Sequence, residues 1–157
     1  MIGQENIEKF FNSKSIYELP NSFLLVGDFG CGKKHLIGEL AKKYNAIIKN
    51  IDFTINNNLI DYLEDLSSLV FISIDGDKTS ELEQNKILKF LEEHVSNVVV
   101  FITTTNYNTI IDTIKNRCQV LQFNKYSIDY LKSFLDEQGV LEQEYYLSVC
   151  NTMIFAS

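Results

Sequence analysis

The clearest chemical signal in this chain lies in nine consecutive residues, Val26, Gly27, Asp28, Phe29, Gly30, Cys31, Gly32, Lys33 and Lys34. Gly27, Gly32 and Lys33 fill the fixed places of the pattern Gly-x-x-x-x-Gly-Lys-[Ser/Thr], which cradles phosphate groups. Glycines let the backbone turn tightly and aim its N–H groups at phosphate oxygens, and a helix that follows adds its positive N-terminal end. Lys33 would supply a point charge to the outer phosphates. The eighth place holds Lys34, whose ammonium has no oxygen with which to ligate Mg²⁺. The pattern therefore defines a lineage and leaves nucleotide binding open. The plain alternative is a glycine-rich turn from strand to helix that binds nothing. Three further polar residues, Asp75, Thr105 and Asn106, follow apolar runs and are candidates for the same site.

These groups need elements to position them. Phe23 to Val26 is an apolar strand that leads into the loop, and Leu36, Ile37, Leu40 and Ala41 are spaced for the buried face of a helix that leads out. Ala46 to Ile48 reads as a second strand, with Asp52 just beyond it. Leu69 to Ile74, ending at Asp75, and Val98 to Ile102, ending in Thr103 to Asn106, are near-continuous apolar runs, as in strands covered on both faces. Val120 to Phe123 is a fifth strand. Helices are expected over 2–11, around Leu59 to Leu66 after the asparagine cluster at 56–58, over 80–93 with Leu82, Ile87, Leu88, Phe90 and Leu91 as its apolar residues, and over 109–115. Five strands alternating with helices predict a three-layer α/β domain with a parallel sheet and right-handed crossovers. Such sheets bind ligands beyond the carboxyl ends of their strands, where Asp75, Thr105 and Asn106 fall beside the loop. From Ser127 onward the pattern is helical only, and the tyrosines at 126, 130, 145 and 146 read as helix packing.

Bulk properties exclude several classes. With 157 residues, 45% of them hydrophobic, the chain holds one domain or one domain plus part of another, with enough apolar surface for a core. A net charge of −7 argues against a broad DNA-phosphate footprint made by this chain alone. Cys31, Cys118 and Cys150 form no C-x-x-C pair and indicate neither a zinc site nor a disulfide framework. No basic-then-apolar leader and no apolar run of membrane-spanning length is present, so a cytoplasmic protein with no membrane partner is expected.

An ordered series of motifs resembles one family. Gly27 to Lys34, Ile74-Asp75-Gly76-Asp77-Lys78, the run Gln84 to Glu93, Val98 to Asn106, and Thr113-Ile114-Lys115-Asn116-Arg117-Cys118-Gln119 are similar to the AAA+ domain of DNA polymerase III clamp-loader subunits, delta-prime-like members above all. The opening Ile2-Gly3-Gln4-Glu5 resembles that family's start. The resemblance implies a RecA-like P-loop domain over 1–125 and the beginning of a helical lid, incomplete, over 126–157. It implies that Gly27 to Lys34 form the nucleotide loop, that Asp75 is the Walker B acid of the Mg²⁺ shell, and that Thr105 and Asn106 form sensor 1. It also implies that Arg117 acts as an arginine finger in a neighbouring subunit's ATP site; the plain alternative is a solvated arginine at a helix end. ATP and Mg²⁺ are the ligands implied, and zinc is not, because the cysteines many relatives carry after the loop helix are missing. The implied partners are other AAA+ clamp-loader subunits, with DNA and the sliding clamp reached indirectly through the complex.

The departures from the family pattern shape the functional expectation. Lys34 replaces the Mg²⁺-binding hydroxyl, and Gly76 stands where ATP-hydrolysing relatives have the glutamate that activates water. Asp77 is one step further on, and the strand-end geometry is expected to aim it elsewhere. Hydrolysis needs a positioned base and a metal to gather charge, so intrinsic turnover is not expected. A full lid with its sensor-2 arginine and a collar domain are missing from the sequence, which implies a truncated chain or an unusually short relative. The expected function is a non-hydrolysing clamp-loader module that lends Arg117 to an adjacent site. The alternatives are an active AAA+ ATPase of replication or DNA remodelling, and a stand-alone module that occupies a clamp-loader interface. Glu92-Glu93 and the pair Lys86 and Lys89 read as solvated helix faces, and His35 and His94 as unconnected.

Overall fold

A computed structural model describes residues 4–52, 68–93 and 95–124. The helices expected around Leu59 to Leu66 and over the lid segment 126–157 lie outside the described residues, as does His94. Five parallel strands form one sheet in the order β2-β3-β4-β1-β5. They are β1 (Ser22–Val26), β2 (Ile47–Ile51), β3 (Val70–Asp75), β4 (Val98–Thr104) and β5 (Gln119–Gln122). All of β1 and β4 is buried, which explains why those segments read as continuous apolar runs without alternation.

Period-two alternation still sorts the side chains to two faces. On one face Phe23, Leu25, Phe71 and Phe101 pack against α1 (Glu5–Asn12) through Ile7 and Phe11, and against α2 (Lys33–Tyr44) through Leu36, Ile37 and Leu40. Phe23 and Phe101 stack there with ring centres 5.1 Å apart. On the other face Leu24, Val26, Ile72 and Ile102 pack against Ile87 and Phe90 of α3 (Glu81–Glu92) and Ile114 of α4 (Asp112–Arg117). The result is the three-layer arrangement expected from the order of elements. Two helix ends have a clear local cause. Ser80 accepts the N–H of Glu83 at 3.2 Å and begins α3, and Asn45, with φ 54°, closes α2.

Three local expectations are corrected. The helix expected over 109–115 divides into a 3₁₀ turn, Tyr107–Thr109, and α4, with Ile110 and Ile111 extended between them. Ile110 is buried in the core there, and the N–H of Ile111 donates to Gln84 Oε1 at 2.8 Å, so both residues are drawn out of a helix. Leu82, expected on the apolar face of α3, is 68% exposed, while Gln84 is 3% exposed. Gln84 satisfies its amide by donating to Thr109 O at 3.0 Å and accepting from Ile111. The second strand continues past Ile48 to Ile51. Before α1, Gln4 is buried and its amide exchanges two hydrogen bonds with the backbone of Asn124, at 2.9 and 3.0 Å. That bond pair ties the segment before α1 to the segment that leaves β5.

Candidate functional site

The loop 27–34 leaves β1 at the carboxyl edge of the sheet, between β4 and β5. Gly30 and Gly32 have φ of 78° and 103°, values that favour glycine, and Gly32 caps the N-terminus of α2. Gly27 is needed for a different reason. A Cβ there would stand 2.6 Å from Cys31 Sγ and 2.7 Å from Phe123 Cβ. The loop thus turns against its neighbours at van der Waals distance. Burial pushes the Cys31 thiol above its ordinary value, opposed by the charge of Lys33.

Lys33 Nζ donates to the carbonyls of Gly27, of Thr104 at 3.2 Å and of Asp28 at 3.5 Å. The same Thr104 carbonyl accepts the N–H of Gly27 at 3.1 Å. Lys33 therefore ties the end of β1 to the end of β4 and is held at the floor of the loop. A cavity of about 320 Å³ opens above it. Gly30, Lys33, Lys34, Asp75, Asp77 and Thr105 are among its lining residues, so topology brings together most of the groups singled out from the sequence. Asn106 is the exception. It is exposed and is not among the lining residues; its side chain accepts the N–H of Asn108 at 3.0 Å and caps the 3₁₀ turn.

The two carboxylates at the end of β3 are both engaged by the protein. Asp75 Oδ1 accepts the N–H of Asp77 at 3.0 Å, the strand-end cap. Asp77 turns to the end of β4: its Oδ1 accepts from Thr104 Oγ1 at 2.7 Å, and its Oδ2 from Thr105 N at 3.0 Å and Thr105 Oγ1 at 2.8 Å. No sequence signal marked this clamp, because its parts lie 27 and 28 residues apart. Between the two acids, Gly76 is buried, and a Cβ on it would stand 2.8 Å from the Thr103 carbonyl oxygen and 3.0 Å from Ile110 Cδ1. No side chain fits there without a backbone shift. A divalent cation suits this set of groups poorly. Lys34 offers no acceptor, both Asp77 oxygens already accept hydrogen bonds, and Asp75 remains as a single carboxylate.

Arg117 lies elsewhere. It ends α4, and its carbonyl accepts from Ser22 Oγ at 3.2 Å, at the amino edge of the sheet. Its guanidinium faces Glu92 Oε1 at 3.6 Å, with both side chains about half exposed. Glu92 and Glu93 are exposed, as expected of a solvated helix end, and Glu92 also makes this weak pair with Arg117. His35 pairs with Glu39 at 3.0 Å within α2.

Sheet order, flanking helices and the glycine loop after β1 define a P-loop domain of the AAA+ kind. Solved structures of Thermotoga maritima RuvB share that fold. The P216G mutant superposes with a TM-score of 0.73 at 19% identity, covering 87% of this chain and 51% of that one. The RuvB Holliday junction branch migration motor gives 0.68 at 18% identity, covering 88% and 52%. The family model for the DNA polymerase III delta subunit matches residues 63–127. Two curated relatives are DNA polymerase III gamma/tau subunits. That of Mycoplasma genitalium is 26% identical, over 87% of this chain and 29% of its own length; that of Mycoplasma pneumoniae is 26% identical, over 90% and 26%. The chain thus spans less than a third of either relative. These sequence likenesses are to subunits of DNA polymerase III.

Proposed function

We propose that this domain works as a non-hydrolysing clamp-loader module that supplies Arg117 to the ATP site of a neighbouring AAA+ subunit, with the segment 126–157 as the beginning of its lid. The observation that carries the reading is where Arg117 stands. Its carbonyl is fixed at Ser22, whereas the chain's own loop begins at Gly27, five residues along β1. At ~3.3 Å per residue the two ends are roughly 16 Å apart along the strand, beyond the reach of a side chain. Arg117 serves no phosphate bound in its own loop. A half-exposed, permanently charged planar fork at the opposite edge is suited to an anion brought by another molecule. Gly76 supports the rest of the reading, since the place of the water-activating glutamate is filled by the Thr103 carbonyl and Ile110.

The test is to mix the chain with an ATP-hydrolysing clamp-loader subunit and measure turnover. Arginine fingers contribute about 10³–10⁵ in kcat, so Arg117→Ala is expected to remove at least about tenfold of any stimulation. Equal stimulation by parent and variant would refute the assignment. The chain alone is expected to show no turnover. Turnover that disappears in Lys33→Ala would instead make it an ATPase in its own right.

A further inference from the structure

The cavity over the phosphate loop has a charge arrangement that the arginine reading does not use. Metal-assisted phosphate binding at such a loop needs a hydroxyl from the eighth residue and free carboxylate oxygens, because Mg²⁺ demands octahedral oxygen coordination. The hydroxyl is absent here, and the carboxylate supply is reduced to Asp75. Lys34 occupies the eighth place, and both oxygens of Asp77 are held by Thr104 and Thr105. Lys34 and Asp75 line not only the cavity of about 320 Å³ but also an adjoining one of about 180 Å³. The eighth residue of the loop and the strand-end acid are thus shared by the two cavities. Positive charge is present there without a metal. Lys33 adds a second ammonium, held by backbone carbonyls alone and so free to turn toward a stronger acceptor. His35 pairs with Glu39 and is not needed.

We propose that this loop takes a polyphosphate chain without a divalent cation, the Lys34 ammonium standing in for Mg²⁺. The ligand class is a nucleoside di- or triphosphate or an inorganic polyphosphate, held by the loop N–H groups, Lys33 and Lys34. The proposed binding involves no bond cleavage. The proposal concerns the chain's own loop and is independent of Arg117, so either reading can fail while the other stands.

The test is calorimetric titration of the full chain with ATP, ADP and inorganic tripolyphosphate, each in excess Mg²⁺ and in EDTA. Affinity in EDTA is expected to equal or exceed that in Mg²⁺, which competes with Lys34 for the phosphates. Lys34→Thr restores the hydroxyl and is expected to reverse the preference, binding about tenfold more tightly with Mg²⁺ than without. Lys34→Gln, at an exposed position that leaves the fold alone, is expected to weaken metal-free binding several-fold. Tighter binding of ATP than of tripolyphosphate would make the nucleotide the ligand, and equal binding would make it the phosphate chain; both uphold the proposal. Binding that requires Mg²⁺, no binding of any of the three at millimolar concentration, or a Lys34→Thr variant with unchanged metal dependence would each overturn it.

Discussion

Replacing Gly76 is the sharpest test of the proposal that the domain does not hydrolyse ATP. If the glutamate were merely absent, Gly76→Glu would restore it at little cost. The geometry says otherwise. A single added Cβ meets the Thr103 carbonyl oxygen at 2.8 Å, Ile110 Cδ1 at 3.0 Å and Ile102 Cγ2 at 3.2 Å. The first contact is with backbone in the middle of a sheet, where Asp75 pairs with Thr103, so it cannot relax by a side-chain rotation. Overpacking of this kind costs about 1–3 kcal/mol, and both Gly76→Ala and Gly76→Glu are expected to lose at least that much. For a chain of this size the loss corresponds to a fall in Tm of roughly 3–10 °C. Urea unfolding of both variants, with ATP turnover measured in parallel, checks the claim. A Gly76→Glu protein with parental stability and new turnover would refute it, because it would mean that the site lacked only a side chain.

Three further outcomes are expected. Lys33→Ala removes an ammonium shared by the carbonyls of Gly27 and Thr104 and should lower stability by about 1–2 kcal/mol even without nucleotide; an unchanged urea midpoint would mean that the contacts add nothing. Burial, opposed by Lys33 for Cys31 and by the Ser22 hydroxyl for Cys118, raises both thiols, so the folded state holds its protons longer than the unfolded chain. Their contribution is complete below the ordinary thiol value and is lost as pH rises through the raised one; urea midpoints should therefore fall between neutral pH and about pH 10, less steeply in Cys31→Ala, and equal slopes would discount Cys31. Glu92→Gln should change stability by less than about 0.5 kcal/mol, because the Arg117–Glu92 pair is half exposed and 3.6 Å apart, and a larger loss by chemical denaturation would show a stronger coupling than its geometry allows.

The legible parts of the site were those fixed by local spacing. The glycines of the loop declare themselves because Gly30 and Gly32 adopt positive φ and Gly27 has no room for a Cβ. Asp75 is legible because a buried strand must end at a polar residue. The parts that were not legible depend on pairing across long sequence distances. Gln4 with Asn124, Gln84 with Thr109 and Ile111, and Asp77 with Thr104 and Thr105 are polar clamps with no period to reveal them. The exposure of Leu82 follows from helix geometry. Five helical residues before Ile87 amounts to about 140° around the axis, whereas Gln84, three residues before it, lies on the same face. Hydrophobicity alone favours the leucine for the buried face, but the angle favours the glutamine.

The same kind of topological reasoning separates the two halves of the site. In a parallel sheet, whatever follows a strand lies at one edge, and whatever precedes a strand lies at the other. The phosphate loop follows β1, and Arg117 precedes β5, the strand paired beside it. No side-chain movement within the domain could bring them together. The chemistry at each edge matches that division. At the carboxyl edge the acids are engaged by Thr104, Thr105 and the backbone, position 76 has no room for a side chain, and lysines supply the charge, an arrangement suited to holding an anion. At the amino edge a single guanidinium rests on a weak, half-exposed partner from which a phosphate could readily draw it. On the proposed reading, a domain built this way retains the loop as a binding and structural node while its catalytic contribution is directed outward. Altering the loop should then change the stability of this chain, and altering Arg117 should change the turnover of its neighbour.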